Sequence, residues 1–368
     1  YYIGIKRSVM KKYTIGRNEK CFCGSDIKFK SCCMRKKDLL ERESIDAESF
    51  NKLYSKGRKQ ARFRECHHPV KNECSEKIIS AHSIQNNKIL SKIADDGVVL
   101  MPIPKNLNFN EQTEYGRKEA TTFTGFCNEH DKYTFRPIED KDFEGSEEQV
   151  FLHIYRAFVL ELHRKEEGHR FYQYLFSMMP SIARNSETMK QLWVSKIGHD
   201  DLLIEKEEFD KAIIDNKYNC LTYFVWEFEG ESNFAATGME EPRFDYSGLR
   251  IQDLEDFDIP AKHIYYTIFP DNGKMYFIIA WLKSNDELFC TIGEKLGSIN
   301  EEEKKNFVNN VVPSTTENLV INPSSWGAMK RKEKENFNSI FQGKEVMLEL
   351  LGKLVDRFSY PGYDLFKL

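Results

Sequence analysis

The chain has 368 residues, 40% of them hydrophobic and 30% charged, with a formal net charge of −4. That length holds two or three domains of ordinary globular composition. No apolar run reaches the roughly 20 residues of a membrane span, so no membrane partner is expected. The first residues lack the apolar core and small-residue cleavage site of a secretory leader, so the expected compartment is cytoplasmic. Charge is unevenly spread: residues 1–65 carry 18 Lys and Arg against 8 Asp and Glu, which leaves the remainder acidic. A basic head suits a polyanion, either nucleic acid or an acidic partner surface, although a solvated basic helix would carry the same charge.

Residue 1 is Tyr, and Met10-Lys11-Lys12 reads as a natural start, so residues 1–9 are left out of the fold argument. The run Arg35 to Arg64 is Pro-free and rich in helix formers, and reads as one or two linking helices with Gly57 as a candidate break. Ile89 to Ala94 reads as a short helix and Val98 to Met101 as a short strand, followed by a Pro- and Asn-rich loop. From Glu147 to Lys165 apolar residues recur at helical spacing, and helix continues over Phe171–Trp193 with an interruption near Pro180. Strands are expected over Leu221–Phe228, Ile264–Phe269 and Lys274–Leu282, the last two joined by a Pro270-Asp271-Asn272-Gly273 turn. Asn318 to Trp326 reads as a strand entering a helix capped by Ser324, and helices are expected over Glu301–Val312, Lys332–Phe341 and Glu345–Phe358. Helices, an antiparallel sheet and more helices give the fold class α+β, with small modules at the N-terminus and a larger helical plus antiparallel-sheet C-terminal domain. Cys220 and Cys290 read as buried thiols in or beside strands. No phosphate-binding Gly loop and no Ser nucleophile elbow is present, which removes support for ATP use.

The chemistry-bearing residues lie in the first third. Cys21-Phe22-Cys23-Gly24-Ser25 is followed by Ser31-Cys32-Cys33, four thiols close enough in sequence to converge on one tetrahedral Zn²⁺. A segment this short cannot bury enough apolar surface to fold alone, so a metal would supply most of its folding energy. Disulfides are the weaker alternative in a reducing compartment. A second set follows: Cys66 and Cys74 from a loop, with Cys127 and His130 in the C-x-x-H spacing that puts two ligands on the first turn of a helix. That is the layout of a treble-clef zinc fold. His67 or His68 could replace either cysteine of the wide Cys66–Cys74 step, and His82 could replace Cys74.

The run Gly16-Arg17-Asn18-x-x-Cys21-x-Cys23-Gly24-Ser25, with Phe29, Lys30 and the Cys32-Cys33 pair, resembles the SEC-C motif. That motif is the zinc-binding tail of the bacterial preprotein-translocase ATPase and is appended to many unrelated bacterial proteins. The resemblance covers about Ile15 to Met34 and departs at Asp26 and Ile27, where Gly and Lys are usual. It implies zinc at Cys21, Cys23, Cys32 and Cys33, a bacterial origin, and a docking module that could take a protein partner.

The order of residues from Cys66 to Asp140 also resembles the HNH nuclease family. The resemblance implies that His82, at the strand end Ala81-His82-Ser83, is the general base that activates water, with Asn86 or Asn87 as the loop Asn. It places Cys127 and His130 on the second zinc pair and Asp131 on a catalytic Mg²⁺ or Mn²⁺ site. Ala81 stands where the family commonly has a metal-holding residue, so Asp131 would need Glu129 or Glu139 beside it. Asp131 could instead simply orient His130. The organisation expected is therefore a SEC-C-like module at 10–34, a basic helical linker at 35–65, an HNH-like treble-clef zinc domain at 66–140 and an α+β domain at 145–368. Two functions fit it. One is an HNH-like nuclease hydrolysing phosphodiesters in a defence or mobile-element setting; the other is a non-catalytic zinc adaptor that docks a protein or nucleic acid.

Overall fold

The computed structural model describes residues 14–39, 47–103, 112–351 and 353–368. In chain order the strands are β1 (Ala81–His82), β2 (Val98–Met101), β3 (Thr113–Gly116), β4 (Thr122–Phe123), β5 (Leu221–Glu229), β6 (Phe234–Glu240), β7 (Ile264–Asp271), β8 (Lys274–Leu282) and β9 (Leu319–Ile321). The principal helices are α1 (Ala47–Ala61), α2 (Asn128–Thr134), α3 (Glu147–Met178), α4 (Ser186–Asp215), α5 (Cys290–Ser298), α6 (Glu301–Thr315), α7 (Pro323–Ala328), α8 (Arg331–Phe341) and α9 (Lys344–Leu350). Helices around antiparallel sheets make the α+β class expected. No helix among the described residues is long and apolar enough to cross a membrane.

The chain divides into two compact units. One takes in the chain up to Arg64 together with Leu162–Ile204; the other takes in Glu65–Glu161 and Glu205–Leu368. Two of the three boundaries, after Glu161 and after Ile204, fall inside the long helices α3 and α4, which no change of composition announces.

In the smaller unit, α1 packs on the later turns of α3. Leu53, Gly57 and Ala61 recur every fourth residue and are buried, one stripe of the helix. Gly57 is the contact point rather than the break: a Cβ there would lie 2.7 Å from the Phe171 ring and 3.2 Å from Tyr174. Tyr54 meets Phe171 edge-on at 5.4 Å beside it.

The larger unit is built on a seven-stranded antiparallel sheet in the order β3-β2-β9-β6-β7-β8-β5. Residues of β7 alternate between two covered faces. Ile264, Tyr266 and Ile268 join Trp226, Phe277, Ile279 and Trp281 in a core closed by Phe307, Val308 and Val311 of α6. On the other face Tyr265 meets Phe158 of α3 and Phe209 of α4, each at 5.8 Å, and those two rings stack at 4.3 Å. Burial of both faces makes β7 buried along its whole length. The β7–β8 hairpin pairs Asp271 with Lys274 across Asn272 (φ +48°) and Gly273 (φ +80°), the left-handed pair that its turn demands.

The strands β2 and β3 come from the 66–140 segment yet belong to this sheet, through Leu100 opposite Ile321. The segment is therefore continuous with the sheet of 145–368. Lys88 fixes the same connection, its ammonium 2.9 Å from the buried Asp271 carboxylate, which also accepts the Phe143 N–H at 2.7 Å.

Four local expectations change. Asn322, not Ser324, caps α7, accepting the Ser325 N–H at 2.8 Å with Pro323 at the first helical position. The last helix stops at Leu350, and Arg357 turns inward to ion pairs with Glu240 and Glu345. Cys220 is half-buried ahead of β5, and Cys290 is exposed at the first residue of α5.

Candidate metal centres

The first four-cysteine group sits on a tight loop. Lys20 and Lys28 bridge antiparallel, the Cys21 N–H donates to Ile27 O at 2.7 Å, and the Phe29 N–H donates to Glu19 O at 2.8 Å. Gly24 turns the chain at φ +76°, a conformation open to glycine, and Asp26 follows at φ +57°. Two single 3₁₀ turns, Phe29–Ser31 and Cys33–Arg35, then carry Cys32 and Cys33 back to the loop.

The four Sγ atoms lie within 4.8 Å of one another, and all four are free thiols. Cys23 and Cys32 stand 3.6 Å apart, Cys32 and Cys33 3.9 Å. Sulfurs about 2.3 Å from a tetrahedral Zn²⁺ would be separated by about 3.8 Å, so the cage fits that ion. Burial pushes the Cys33 and Cys21 thiols up, as it must for anions with no counter-charge. Burial acts the same way on Cys23, but hydrogen bonds from Ser25 and neighbouring thiols outweigh it and bring that thiol down to about 7. Ser25 Oγ lies 3.3 Å from both Cys23 Sγ and Cys32 Sγ, a hydroxyl placed to hold the sulfurs of a metal ligand set. Phe22 anchors the loop, its ring 5.8 Å from Phe29 and 6.5 Å from Phe176 of α3.

Residues 17–35 match the SEC-C motif. No curated protein and no solved structure matches the chain. The SEC-C module is further tied to its unit through the Leu39 N–H, donated to Met178 O at 2.9 Å, and the Asp38 carboxylate, which accepts the Ser181 N–H at 2.8 Å.

The second group joins Cys66, Cys74, Cys127 and His130, again with ligand atoms within 4.8 Å of one another. Its scaffold is a short strand pair and a helix start. Ala81 of β1 pairs with Phe123 of β4, and His82 with Thr122. The Ile79 N–H donates to Phe126 O at 3.0 Å, and the His67 N–H to Gly125 O at 2.9 Å, which lays the Cys66 loop beside the second strand. Cys127 is the N-cap of α2, its sulfur accepting the His130 N–H at 3.5 Å. N-cap and third helical residue thus face one point, which explains the C-x-x-H spacing.

His130 presents Nδ1 to the thiols, 3.4 Å from Cys66, 3.5 Å from Cys74 and 3.3 Å from Cys127. An imidazole nitrogen and a sulfur sharing tetrahedral Zn²⁺ would be about 3.5 Å apart. Burial pushes Cys66 up to about 12 and lowers His130, so a bound cation would supply the charge that favours the thiolate. His67, His68 and His82 are not ligands of this group. His68 instead stacks on His130 at 3.8 Å, and burial holds it down at about 4.

The two expected catalytic residues are not among the donors of either cage. His82 is half-buried on β1, with Nε2 3.3 Å from Arg117 O, and burial lowers its pKa, which keeps the ring neutral. Asp131 follows His130 on α2. Burial pushes its carboxyl up to about 6 against the pull of Arg156, with Glu139 adding to the rise. Among the described residues, only the two cysteine-containing groups bring three or more ligand atoms together within 4.8 Å, so His82, Asp131 and Glu139 form no such trio. The residue that sequence reasoning passed over is Arg156. It is the sole charged side chain in the apolar run Val150–Leu160, and that isolation was the available signal.

Proposed function

We propose that this is a zinc protein of the adaptor kind, in which two closed Zn²⁺ sites brace the fold and the smaller unit engages nucleic acid. The observation that carries the reading is the four-donor closure of both cages. A catalytic zinc keeps a position open for water or substrate, whereas four protein ligands leave none. The charge supports the choice of partner. Residues 1–64 and 162–204 together carry 24 Lys and Arg against 12 Asp and Glu, while the rest of the chain is acidic. On α1 the exposed Lys52, Lys56 and Lys59 recur at one-turn spacing on a face beside the buried stripe of Leu53 and Gly57. They span about 10 Å of helix, a reach that matches successive phosphates of a nucleic-acid strand.

The test is fluorescence anisotropy of the zinc-loaded chain with labelled single-stranded and duplex oligonucleotides, followed by electrophoresis of the same samples after incubation with Mg²⁺ or Mn²⁺. The reading expects binding that weakens steeply with salt and leaves the oligonucleotide intact. Absence of binding at 50 mM salt would sink it.

The HNH-like nuclease reading keeps one favouring observation, the half-buried His82 imidazole at a strand end, within electrostatic reach of Glu139. It requires metal-dependent cleavage that His82→Ala abolishes while both zincs stay bound.

A further inference from the structure

Asp131, next to the ligand His130, and His82 both lie in the electrostatic reach of the Arg156–Glu139 pair. A Mg²⁺ or Mn²⁺ site is built from several oxygens around an accessible ion, with carboxylates left unpaired to receive it. The residues here do not fit that description. Ala81 has no donor atom and is 2% exposed. The Nε2 of His82 faces the Arg117 carbonyl rather than the carboxylates.

Most decisive is Arg156. Its side chain is 4% exposed, and Nη2 lies 2.5 Å from Glu139 Oε1. The guanidinium carbon sits 3.9 Å from the centre of the Phe135 ring, so the charge is held on both sides, by a carboxylate and by an aromatic face. Its Nε–H donor and the Asp131 Oδ1 acceptor are both buried and have no hydrogen-bond partner among the described residues. Arg156 acts electrostatically on Asp131 and on His82 alike.

We infer that the Arg156 guanidinium is the resident cation of this cluster, standing in the place of a divalent metal, so that the chain binds no third metal ion there. Arginine is permanently charged and cannot exchange with solvent as an ion does, and its fork already occupies a Glu139 oxygen that a metal would need. A divalent ion entering beside it would meet a like charge in a poorly hydrated site. The inference stands on this cluster alone and does not depend on nucleic-acid binding.

The test is Mn²⁺ titration of the zinc-loaded full chain, reading free Mn²⁺ by electron paramagnetic resonance, with no nucleic acid present. The wild type is expected to bind no Mn²⁺ up to millimolar concentration. Arg156→Met keeps an unbranched stem against Phe135 and removes the charge; it is expected to retain two zincs and gain one Mn²⁺. That gain should disappear in the Arg156→Met, Glu139→Gln double variant. Saturable binding of one Mn²⁺ to the wild type, lost on Glu139→Gln, would overturn the inference whether or not Arg156→Met folds. An Arg156→Met protein that keeps both zincs and still binds no Mn²⁺ would overturn it as well.

Discussion

Replacing Lys52, Lys56 and Lys59 together by Ala tests the partner assignment quantitatively. All three side chains are exposed and lie outside the buried stripe of α1, so the substitutions leave that stripe's packing intact. Surface changes of this kind shift stability by about 0.5 kcal/mol or less each, and alanine favours helix. Each lysine that neutralises a phosphate contributes about 0.9 to the slope of log affinity against log salt on duplex, and about 0.7 on single strands. Three contacts therefore carry about 2.7 of that slope on duplex and about 2.1 on single strands. Between 50 and 200 mM salt this corresponds to about 40-fold and about 20-fold of affinity, respectively. Anisotropy titrations at four salt concentrations read the slope directly, with a melting curve of each protein as the folding control. A triple variant that folds and binds with an unchanged slope would refute the placement of phosphate contacts on this face. Weaker binding at an unchanged slope would refute it too, because the loss would then not be electrostatic.

Three further outcomes follow from buried contacts, two in the larger unit and one in the smaller. Asp271→Ala strips the buried partner from Lys88 and from the Phe143 N–H, and should cost about 3 kcal/mol, read as a shift in the urea midpoint. A shift under a third of that would mean the Lys88 link does not hold the inserted segment to the sheet. His263 is fully buried between Glu205 and Glu241, at 3.2 and 3.4 Å. Burial alone would lower its pKa, but the two carboxylates outweigh burial and raise it to about 9. A folded pKa above the unfolded one stabilises fully below about pH 6.5, and that stability fades as pH rises through about 9. The wild-type melting temperature should therefore fall across that window, and a fall of equal size in His263→Gln would assign it to other groups. Gly57→Leu should unseat α1 from Phe171 and Tyr174, read as protease cleavage near Arg64; unchanged protease resistance would contradict the close approach.

The sequence disclosed the elements whose signals are local. Cysteine and histidine spacing pointed to donors that the structure gathers. Cys21, Cys23, Cys32 and Cys33 lie close in sequence on one loop, and Cys127 and His130 share a helix start, whereas the choice of Cys66 and Cys74 over the nearby histidines needed the tertiary fold. The β7–β8 hairpin was legible from Asn272-Gly273, the pair that takes left-handed backbone. Other features depend on tertiary contacts. The strand β6 reads Phe-Ala-Ala-Thr-Gly-Met-Glu and shows no alternation, since every residue is buried, and a Cβ at Gly238 would meet the Tyr266 hydroxyl at 2.5 Å. The strand pair β1–β4 joins residues some forty positions apart, with β2 and β3 of another sheet between them. The role of Arg156 rests on Glu139 and Phe135 meeting it from another segment, and no spacing rule links those three positions.

The account turns on two independent, closed zinc cages, and native mass spectrometry of the full chain counts them. It predicts two zinc ions per chain, falling to one in Cys33→Ser and to one in Cys127→Ser, with the other site still filled in each. One zinc or none in the wild type, or loss of both ions from either single variant, would contradict it.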